Sequence, residues 1–360
     1  MRKTGIADLP LHTGKAPRWL FEKMVELSGE IISVLTFEYG KKEVTKRFAD
    51  PFWFQAFGCV VGFDWHSSGV TTTLLGAIKE AMRIRNYDLG IFVAGGKGKS
   101  AINTPVEIDG ICDRFGISKG EELIRVSRLT AKVDNNALQD GFKLYHHNII
   151  FTDEGDWIVI QQGMDPEKRL ARRYHWLGER VNSFVDEPHS AICCDEKRRV
   201  LNLVARESRK LRDSMVEIIR EERVEKLIAE VKLTLSLPKH HEVKLKDIDL
   251  QKLSAIIRHA KENIKSFEDL LLTKGIGEKG LRALALTSSL IYGTEVSYRD
   301  PVIFSFAHGG KDGHPYPVNI RLIKNTIEIL KEALNKAKLG DREKLERIRR
   351  LAEWEKTLER

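Results

Sequence analysis

The sequence has few features of a membrane or secreted protein. Its apolar runs fall short of the ~18–20 residues that a helix needs to cross a bilayer. The N-terminus, MRKTGIADLPLHTGK, lacks the apolar core of a signal peptide. Only four of the 360 residues are cysteines, too few to staple a chain of this length, and they follow no CxxC or zinc-ligand spacing. We therefore expect a cytoplasmic protein with reduced thiols and no membrane partner.

The composition excludes a disordered chain and indicates a charged partner. Hydrophobic residues make up 42% and charged residues 31% of the sequence, which is typical of a globular protein. The net charge of +8 is uneven: residues 1–190 contain 25 basic and 25 acidic side chains, whereas residues 191–360 contain 35 and 27. A basic half favours a polyanion such as nucleic acid, although a solvated lysine-rich surface gives the same excess.

The spacing of apolar residues predicts both helices and strands. Helical spacing marks residues 17–36, and Asp50 followed by Pro51 is typical of a helix start. Residues 89–94 form a compact apolar run, the best strand candidate in this half. The class predicted is therefore mixed, α+β.

Length and charge predict two domains. The first, residues 1–190, is a mixed α/β domain that carries a polar β-hairpin and the catalytic or recognition site. A linker at 186–190 leads to the second, residues 191–360, which is predicted to be all-helical, basic and responsible for binding nucleic acid.

A glycine-lysine loop follows the predicted strand. Its sequence, Gly95-Gly-Lys-Gly-Lys-Ser100, has the setting of a phosphate-binding loop, but Val93 stands where that motif needs its first glycine. A basic loop that contacts a phosphate backbone through Lys97 and Lys99 fits these residues better. A plain surface loop is the alternative.

The densest polar segment reads as a β-hairpin. Residues 142–151 and 157–162 are rich in β-branched and aromatic residues, and the residues between them favour a turn centred on Glu154. Such a turn places His147 opposite Gln161 and His146 opposite Gln162. Strands rarely concentrate so many hydrogen-bonding groups, which indicates a site. A solvated outer sheet face is the alternative.

Ten residues in and around the hairpin are candidates for catalysis. Three of them can position a metal or water, three histidines can act as general acid or base, and two arginines can stabilise charge on a phosphate. Mg²⁺ and Mn²⁺ are the candidate cofactors, and no metal ligands are assigned. The ten are Lys132, Asp134, Asp140, His146, His147, Gln161, Gln162, Arg172, Arg173 and His175.

Residues 264–292 resemble a helix-hairpin-helix, a DNA-binding motif. An apolar helix precedes Gly275-Ile276-Gly277, and a second helix begins after it. Glycines let the backbone approach a phosphate, to which the first N–H groups of the second helix point. Lys274 and Lys279, with Lys311 farther along, supply charge. An ordinary interhelical turn with a glycine C-cap is the alternative.

Asp300 is a weaker catalytic candidate. Base-excision glycosylases with a helix-hairpin-helix carry a catalytic Asp at a helix start some twenty residues past the hairpin, and Asp300 has a similar place. It precedes Pro301, and Asp-Pro is also a common helix start.

Several blocks together resemble one family, the domain-of-unknown-function family 763 of archaea and bacteria. The blocks are LPLHTGKAPRWL, AKVDNNALQDGFKLYHH, VIQQGM, ARRYHWL, the Gly-Ile-Gly hairpin and FAHGGKDGHPYPV. The resemblance covers nearly the whole chain and implies one architecture, but it implies no activity.

These patterns predict a DNA-binding protein, and more specifically a DNA-processing or repair enzyme of the nuclease or base-excision type. A restriction-endonuclease-like core is not supported, because the strand at 160–164 (IQQGM) lacks the required lysine. Two alternatives stay open: a non-enzymatic partner of a repair helicase or nuclease, and an RNA-processing enzyme. DNA, with other repair proteins, is the expected partner.

Overall fold

The computed structural model has the mixed α+β architecture expected from the sequence. It describes residues 17–62, 68–194, 196–220, 261–302, 320–337 and 340–358. Lys311 lies outside these ranges. No helix of the described residues is long and apolar enough to cross a membrane.

Five antiparallel strands form the central sheet, in the order β1-β3-β4-β5-β6, and β2 pairs with β7 in a separate two-stranded sheet. The strands are β1 (Ile91–Lys97), β2 (Leu138–Gln139), β3 (Lys143–Thr152), β4 (Trp157–Asp165), β5 (Leu170–Leu177), β6 (Ala191–Cys193) and β7 (Leu201–Asn202).

The described residues contain twelve α-helices. They are α1 (Arg18–Tyr39), α2 (Lys41–Phe48), α3 (Pro51–Val61), α4 (Gly69–Ile84), α5 (Lys99–Ile102), α6 (Thr104–Phe115), α7 (Gly120–Lys132), α8 (Arg209–Arg220), α9 (Phe267–Leu272), α10 (Glu278–Tyr292), α11 (Ile320–Lys336) and α12 (Asp341–Leu358). The predicted start of α3 is confirmed, because the Asp50 carboxylate accepts the backbone N–H groups of Phe52 and Trp53.

The sheet is buried on both faces, and each face has its own hydrophobic core. On the first face, the α7 face, strand residues pack against helices α6 to α10. On the second, the α3 face, they pack against α1 to α4, α11 and α12. Val159 and Ile160 are successive residues of β4 and point to opposite faces, yet they are 0% and 1% exposed. The alternative of a solvated outer sheet face is therefore wrong.

The hairpin register expected from the sequence is confirmed. His147 pairs with Gln161 and His146 with Gln162 across β3 and β4. Side chains alternate between the faces of a sheet, so the two pairs point in opposite directions. A register shift follows between Leu144 and His146, where the strands leave the regular ladder.

The sheet continues across residue 190, where a domain boundary is predicted from the charge break. Strand β6 lies beyond this point and pairs with β5, and helices α8, α9 and α10 share the core of the α7 face. Strands β6 and β7 thus lie in the part predicted to be all-helical, and they are too short for composition to reveal. The division of the chain into two domains stays a prediction.

Gly95 provides a test of the β1–β3 packing. Its φ is +108°, and an added Cβ would lie 2.1 Å from the backbone oxygen of His147. We expect Gly95→Ala to cost about 4 kcal/mol or more in the free energy of unfolding, because strain and a backbone clash combine.

Gly116→Ala is the matched control, since Gly116 also has a positive φ of +68° but no atom near the added Cβ. It should cost about 1–2 kcal/mol. Urea unfolding measures both values, and equal losses would contradict the clash.

Candidate functional site

A cavity of about 800 Å³ opens between one end of the sheet, helix α7 and the turn that joins α9 to α10. Apolar side chains form much of its wall, and none of the described residues that line it is Asp or Glu. Its polar and basic lining residues are Ser127, Arg128, Lys132, Asn135, Asn136, His146 and His147, with Tyr145 beside them.

A chain of buried hydrogen bonds ends at this cavity. The Ser127 Oγ lies 2.8 Å from His147 Nε2, and His147 Nδ1 lies 2.7 Å from Gln161 Oε1. Gln161 Nε2 in turn donates to Asp134 Oδ2 at 2.6 Å. We call these four residues the Ser127 chain; Ser127 and His147 line the cavity, whereas Asp134 is fully buried.

Asp134 fixes which groups donate and which accept in these hydrogen bonds. Its carboxylate accepts the indole N–H of Trp176 at 2.9 Å and lies 2.5 Å from His189 Nε2. Because Gln161 donates to that carboxylate, the Gln161 carbonyl oxygen faces His147 and accepts its Nδ1–H. His147 Nε2 is then the lone-pair nitrogen that accepts the Ser127 hydroxyl. Burial lowers the His147 pKa, which favours the neutral form of the ring.

A π-helical turn places Asp134 in this position. Residues Val133–Ala137 extend α7 with one wide turn, and such turns are rare and frequently found at functional sites. The turn directs Asp134 beneath the sheet toward β4 and β5. Trp176 and His189 were not predicted as site residues. Strand alternation could have indicated Trp176, because it puts this residue on the same face of β5 as Tyr174.

Three other predicted residues form a buried ion triad, which we define as Asp140, Arg172 and Asp300. Arg172 donates to Asp140 Oδ2 at 3.0 Å and to Asp300 Oδ2 at 2.8 Å. Tyr174 adds a hydroxyl at 2.7 Å from Asp140 Oδ2. None of these four residues lines the cavity, and apart from Arg172 Nε their side-chain polar groups are engaged in these hydrogen bonds.

Asp300 does not begin a described helix. Residues 293–302 are irregular, and its carboxylate accepts the backbone N–H groups of Arg198 and Val302 besides Arg172. These contacts make Asp300 an anchor that joins this segment to β5.

Three further candidates, Gln162, Arg173 and His175, point to the α3 face. Gln162 Nε2 donates to the backbone oxygen of Ser68 at 2.9 Å and to the Tyr145 hydroxyl at 2.5 Å. The Arg173 guanidinium lies over the Phe54 ring, 4.8 Å from its centroid, and the His175 ring meets the same phenyl edge-on. Burial lowers the pKa of Arg173 and of His175. The ten predicted catalytic residues thus lie in three places: the cavity with the Ser127 chain, the ion triad and the α3 face.

His146 belongs to the α3 face and also contributes to the cavity wall. It is 2% exposed, and neither ring nitrogen makes a well-formed hydrogen bond. Burial, with the nearby His147 and Lys97, lowers its pKa from 6.5 to about 3. The Asn148 side chain interacts with the ring, and a buried imidazole beside a cavity can also satisfy a ligand's donor or acceptor.

The turn between α9 and α10 forms the opposite wall. Gly275 has a φ of +92°, which favours glycine, whereas Gly277 is extended with a φ of −118°. Ile276 is buried in the core, and Lys132 Nζ donates to its backbone oxygen at 3.3 Å. No side chain caps α10, and Gly277 has no atom within 4 Å of an added Cβ.

The glycine-lysine loop lies at the rim of the same cavity. Gly98 lines the cavity between Lys97 and Lys99, both exposed. Lys97 Nζ lies 5.6 Å from the centroid of the Tyr145 ring. Lys274 and Lys279, on either side of the glycine turn, are also exposed. The two distant segments that carry these lysines therefore both contribute to one cavity wall, through Gly98 and through Gly275 to Gly277.

Within the described ranges, no three or more His, Cys, Asp and Glu side chains are grouped closely enough to hold a metal ion. The use of Mg²⁺ or Mn²⁺ stays a prediction.

The sequence also agrees with a known family. Residues 5–318 match the family described as "Protein of unknown function (DUF763)". The chain belongs to this family. No curated protein and no solved structure matches the sequence of this DUF763 protein.

The ion triad predicts a large effect on stability in the DUF763 chain. Arg172→Leu leaves the carboxylates of Asp140 and Asp300 buried without their cation, so we expect a loss of about 3–5 kcal/mol in unfolding free energy. Asp300→Asn, which keeps an acceptor, should cost less. Urea unfolding checks both. If Asp300→Asn instead left stability unchanged and abolished an activity on DNA, Asp300 would be catalytic.

His146 predicts a pH dependence of stability in the same chain. Its folded pKa of about 3 lies below the ordinary 6.5, so between these values the unfolded chain binds a proton that the folded chain does not. The contribution is complete above pH 6.5 and is lost as the pH falls, at most about 1.4 kcal/mol per pH unit. His146→Gln should flatten the decline in unfolding free energy between pH 7 and pH 5. Urea unfolding of the wild-type protein and of His146→Gln across this pH range measures the effect. Unfolding free energies that decline equally steeply in both would contradict the prediction.

Proposed function

We propose that this DUF763 protein binds DNA and processes it, with one nucleotide held in the cavity and its phosphate at the start of α10. The observation that supports this most is the cavity wall, which combines the α9–α10 turn, Arg128 and Lys132 and has no carboxylate among its described residues. A phosphate is the ligand class that such a wall favours.

The backbone supports phosphate binding at the turn. The first N–H groups of a helix lack intrahelical partners, and the helix dipole adds partial positive charge there. In α10 no side chain caps these groups, and the space beside Gly277 is open. The one acidic residue of the first turn, Glu278, is paired with Lys143 and Arg282. A phosphate oxygen can therefore approach the backbone as the helix-hairpin-helix resemblance implies.

The side chains support the same location. Arg128 and Lys132 stand four residues apart on α7, which places them on one helix face. Burial lowers the pKa of Lys132, and a bound anion would offset this cost by favouring the charged form. The exposed Lys274 and Lys279 extend the basic surface outward, where a backbone would continue.

The size and apolar part of the cavity suit a nucleobase. Its ~800 Å³ falls within the range of small-molecule sites. Ile102, Pro105, Leu144 and Leu272 contribute apolar surface, and Tyr145 contributes a ring. Enzymes that do chemistry on a base of duplex DNA turn that nucleotide out of the stack into such a cavity.

An enzyme is favoured over a non-enzymatic partner by the Ser127 chain. A protein that only holds DNA does not require an imidazole whose lone-pair nitrogen accepts a serine hydroxyl at the cavity wall. Nuclease or base-excision chemistry, in DNA repair or another processing step, is the activity class we propose.

Lys279→Glu tests the DNA interface. We expect affinity for labelled duplex to fall about tenfold for every sequence, because the change removes a phosphate contact and adds repulsion. The slope of log K against log salt should flatten by about 0.9. Fluorescence anisotropy at several salt concentrations measures both quantities.

Lys119→Glu is the matched control, because Lys119 is also exposed but lies at the opposite end of α7, roughly 20 Å from Lys132. It should leave affinity within about twofold. Equal effects of the two variants would indicate non-specific charge, and an unchanged Lys279→Glu would remove the turn from the interface.

The reaction is tested with a panel of substrates. Duplex, single-stranded, branched and damaged DNA, and RNA, are incubated with Mg²⁺, Mn²⁺ or EDTA. A cleaved or base-free product supports the enzyme. Tight binding without product after long incubation would select the non-enzymatic alternative, and a product from RNA alone would select RNA processing.

A further inference from the structure

The Ser127 hydroxyl lies where the buried hydrogen-bond chain meets the cavity. Ser127 is on the face of α7 that also presents Arg128, Ala131 and Lys132 to the cavity. Its Oγ is 2.8 Å from His147 Nε2, within the distance at which an imidazole removes a hydroxyl proton.

The bonding of Ser127 differs from that of a structural hydroxyl on the same helix. Thr130, one turn later, donates to the backbone oxygen of Val126 at 3.0 Å, as buried Ser and Thr side chains in helices usually do. The Ser127 hydroxyl instead faces an imidazole nitrogen. That nitrogen is held in its acceptor tautomer by Gln161 and, behind it, Asp134.

The same wall carries groups that stabilise developing negative charge. Arg128 follows Ser127 in the sequence, and Lys132 ties α7 to the α9–α10 turn through the Ile276 carbonyl oxygen. These positive groups stand beside the start of α10, where we place the phosphate. A serine, its base and charge stabilisation therefore meet in one cavity.

We propose that Ser127 is the nucleophile of a phosphodiester transfer and that His147 is its general base. This inference rests on the proposed function and names the chemistry of its site. Ser127 Oγ bonds to phosphorus while its proton moves to His147 Nε2, and the bond from phosphorus to the leaving deoxyribose oxygen breaks. The leaving oxygen takes a proton from water, and a phosphodiester of Ser127 remains.

Water completes the reaction. His147 returns its first proton to the solvent, and a water molecule that loses a proton to His147 attacks the phosphorus of the serine ester. Ser127 Oγ leaves and recovers a proton from the imidazolium. The sum is a phosphodiester and water converted to a phosphomonoester and an alcohol. Gln161 and Asp134 act as positioning residues, because they hold the imidazole and do not touch the substrate.

A chromogenic phosphodiester, thymidine 5′-(p-nitrophenyl phosphate), tests the inference directly. Its aryl oxygen leaves without an acid, so attack by Ser127 releases p-nitrophenolate and attaches a thymidylyl group to the serine. The full-length protein is mixed with this probe in Mg²⁺, Mn²⁺ or EDTA, quenched and digested, and the adduct is mapped by mass spectrometry. We expect a thymidylyl adduct on Ser127.

Variants test the same inference through adduct formation and the rate of p-nitrophenolate release. Ser127→Ala should abolish the adduct, and His147→Gln should slow p-nitrophenolate release by about 10²–10⁴-fold. Ser100→Ala is the matched control, because Ser100 is an exposed serine of α5 close to the cavity rim and is not bonded to an imidazole. It should react at the wild-type rate. If a Ser127 variant fails to fold, the mapping on the wild-type protein still decides.

The outcomes separate this inference from the proposed function. Wild-type protein that binds DNA but forms no adduct, or forms one elsewhere, overturns Ser127 as nucleophile and leaves DNA binding intact. An adduct on Ser127 without DNA binding supports the chemistry and refutes the DNA partner. Release of p-nitrophenolate that survives Ser127→Ala at the wild-type rate also overturns the inference.

Discussion

The site depends on one buried carboxylate, that of Asp134. It gathers hydrogen bonds from three elements: Gln161 on β4, Trp176 on β5 and His189 in the connection before β6. A buried carboxylate is costly unless such partners satisfy it, so these elements must meet around it. Because Asp134 belongs to the π-helical turn that ends α7, the same contacts set α7 against the sheet. The cavity wall and the orientation of His147 follow from this one arrangement.

A sheet covered on both faces gives each polar strand residue one of two surroundings. His146 and His147 are neighbours in sequence, yet strand alternation sends the first toward the α3 face and the second toward Ser127. Both lose water, and burial lowers both pKa values. Only His147 acquires well-formed hydrogen bonds on both ring nitrogens. The difference between the two histidines therefore comes from which face carries a π-helical turn with a carboxylate, and not from their own residue type.

Local sequence patterns predicted part of the fold and part of the candidate site. The cap of α3 and the pairing of His147 with Gln161 depend on residues close in sequence, and both were obtained from it. The assignment of Asp140, Arg172 and Asp300 to catalysis illustrates the limit. The three lie far apart in the chain, and their charges alone do not reveal that they neutralise one another away from the cavity. His189 was missed for a related reason, since a polar connection near Pro188 resembles a linker until the contact with Asp134 is known.

The positive charge of the cavity wall depends on the spatial arrangement of side chains more than on the composition of each half of the chain. The excess of basic residues lies in 191–360, which points to that half as the binding surface. Yet Arg128 and Lys132, the cations that line the cavity, come from the half whose charges sum to zero. Many acidic residues of that half are paired elsewhere, as Asp140 is with Arg172 and Asp165 with Arg198. The electrostatic potential within a cavity depends on which charges remain without a nearby opposite partner. A neutral segment can therefore supply a basic wall, and the turn from the basic half completes it from the other side.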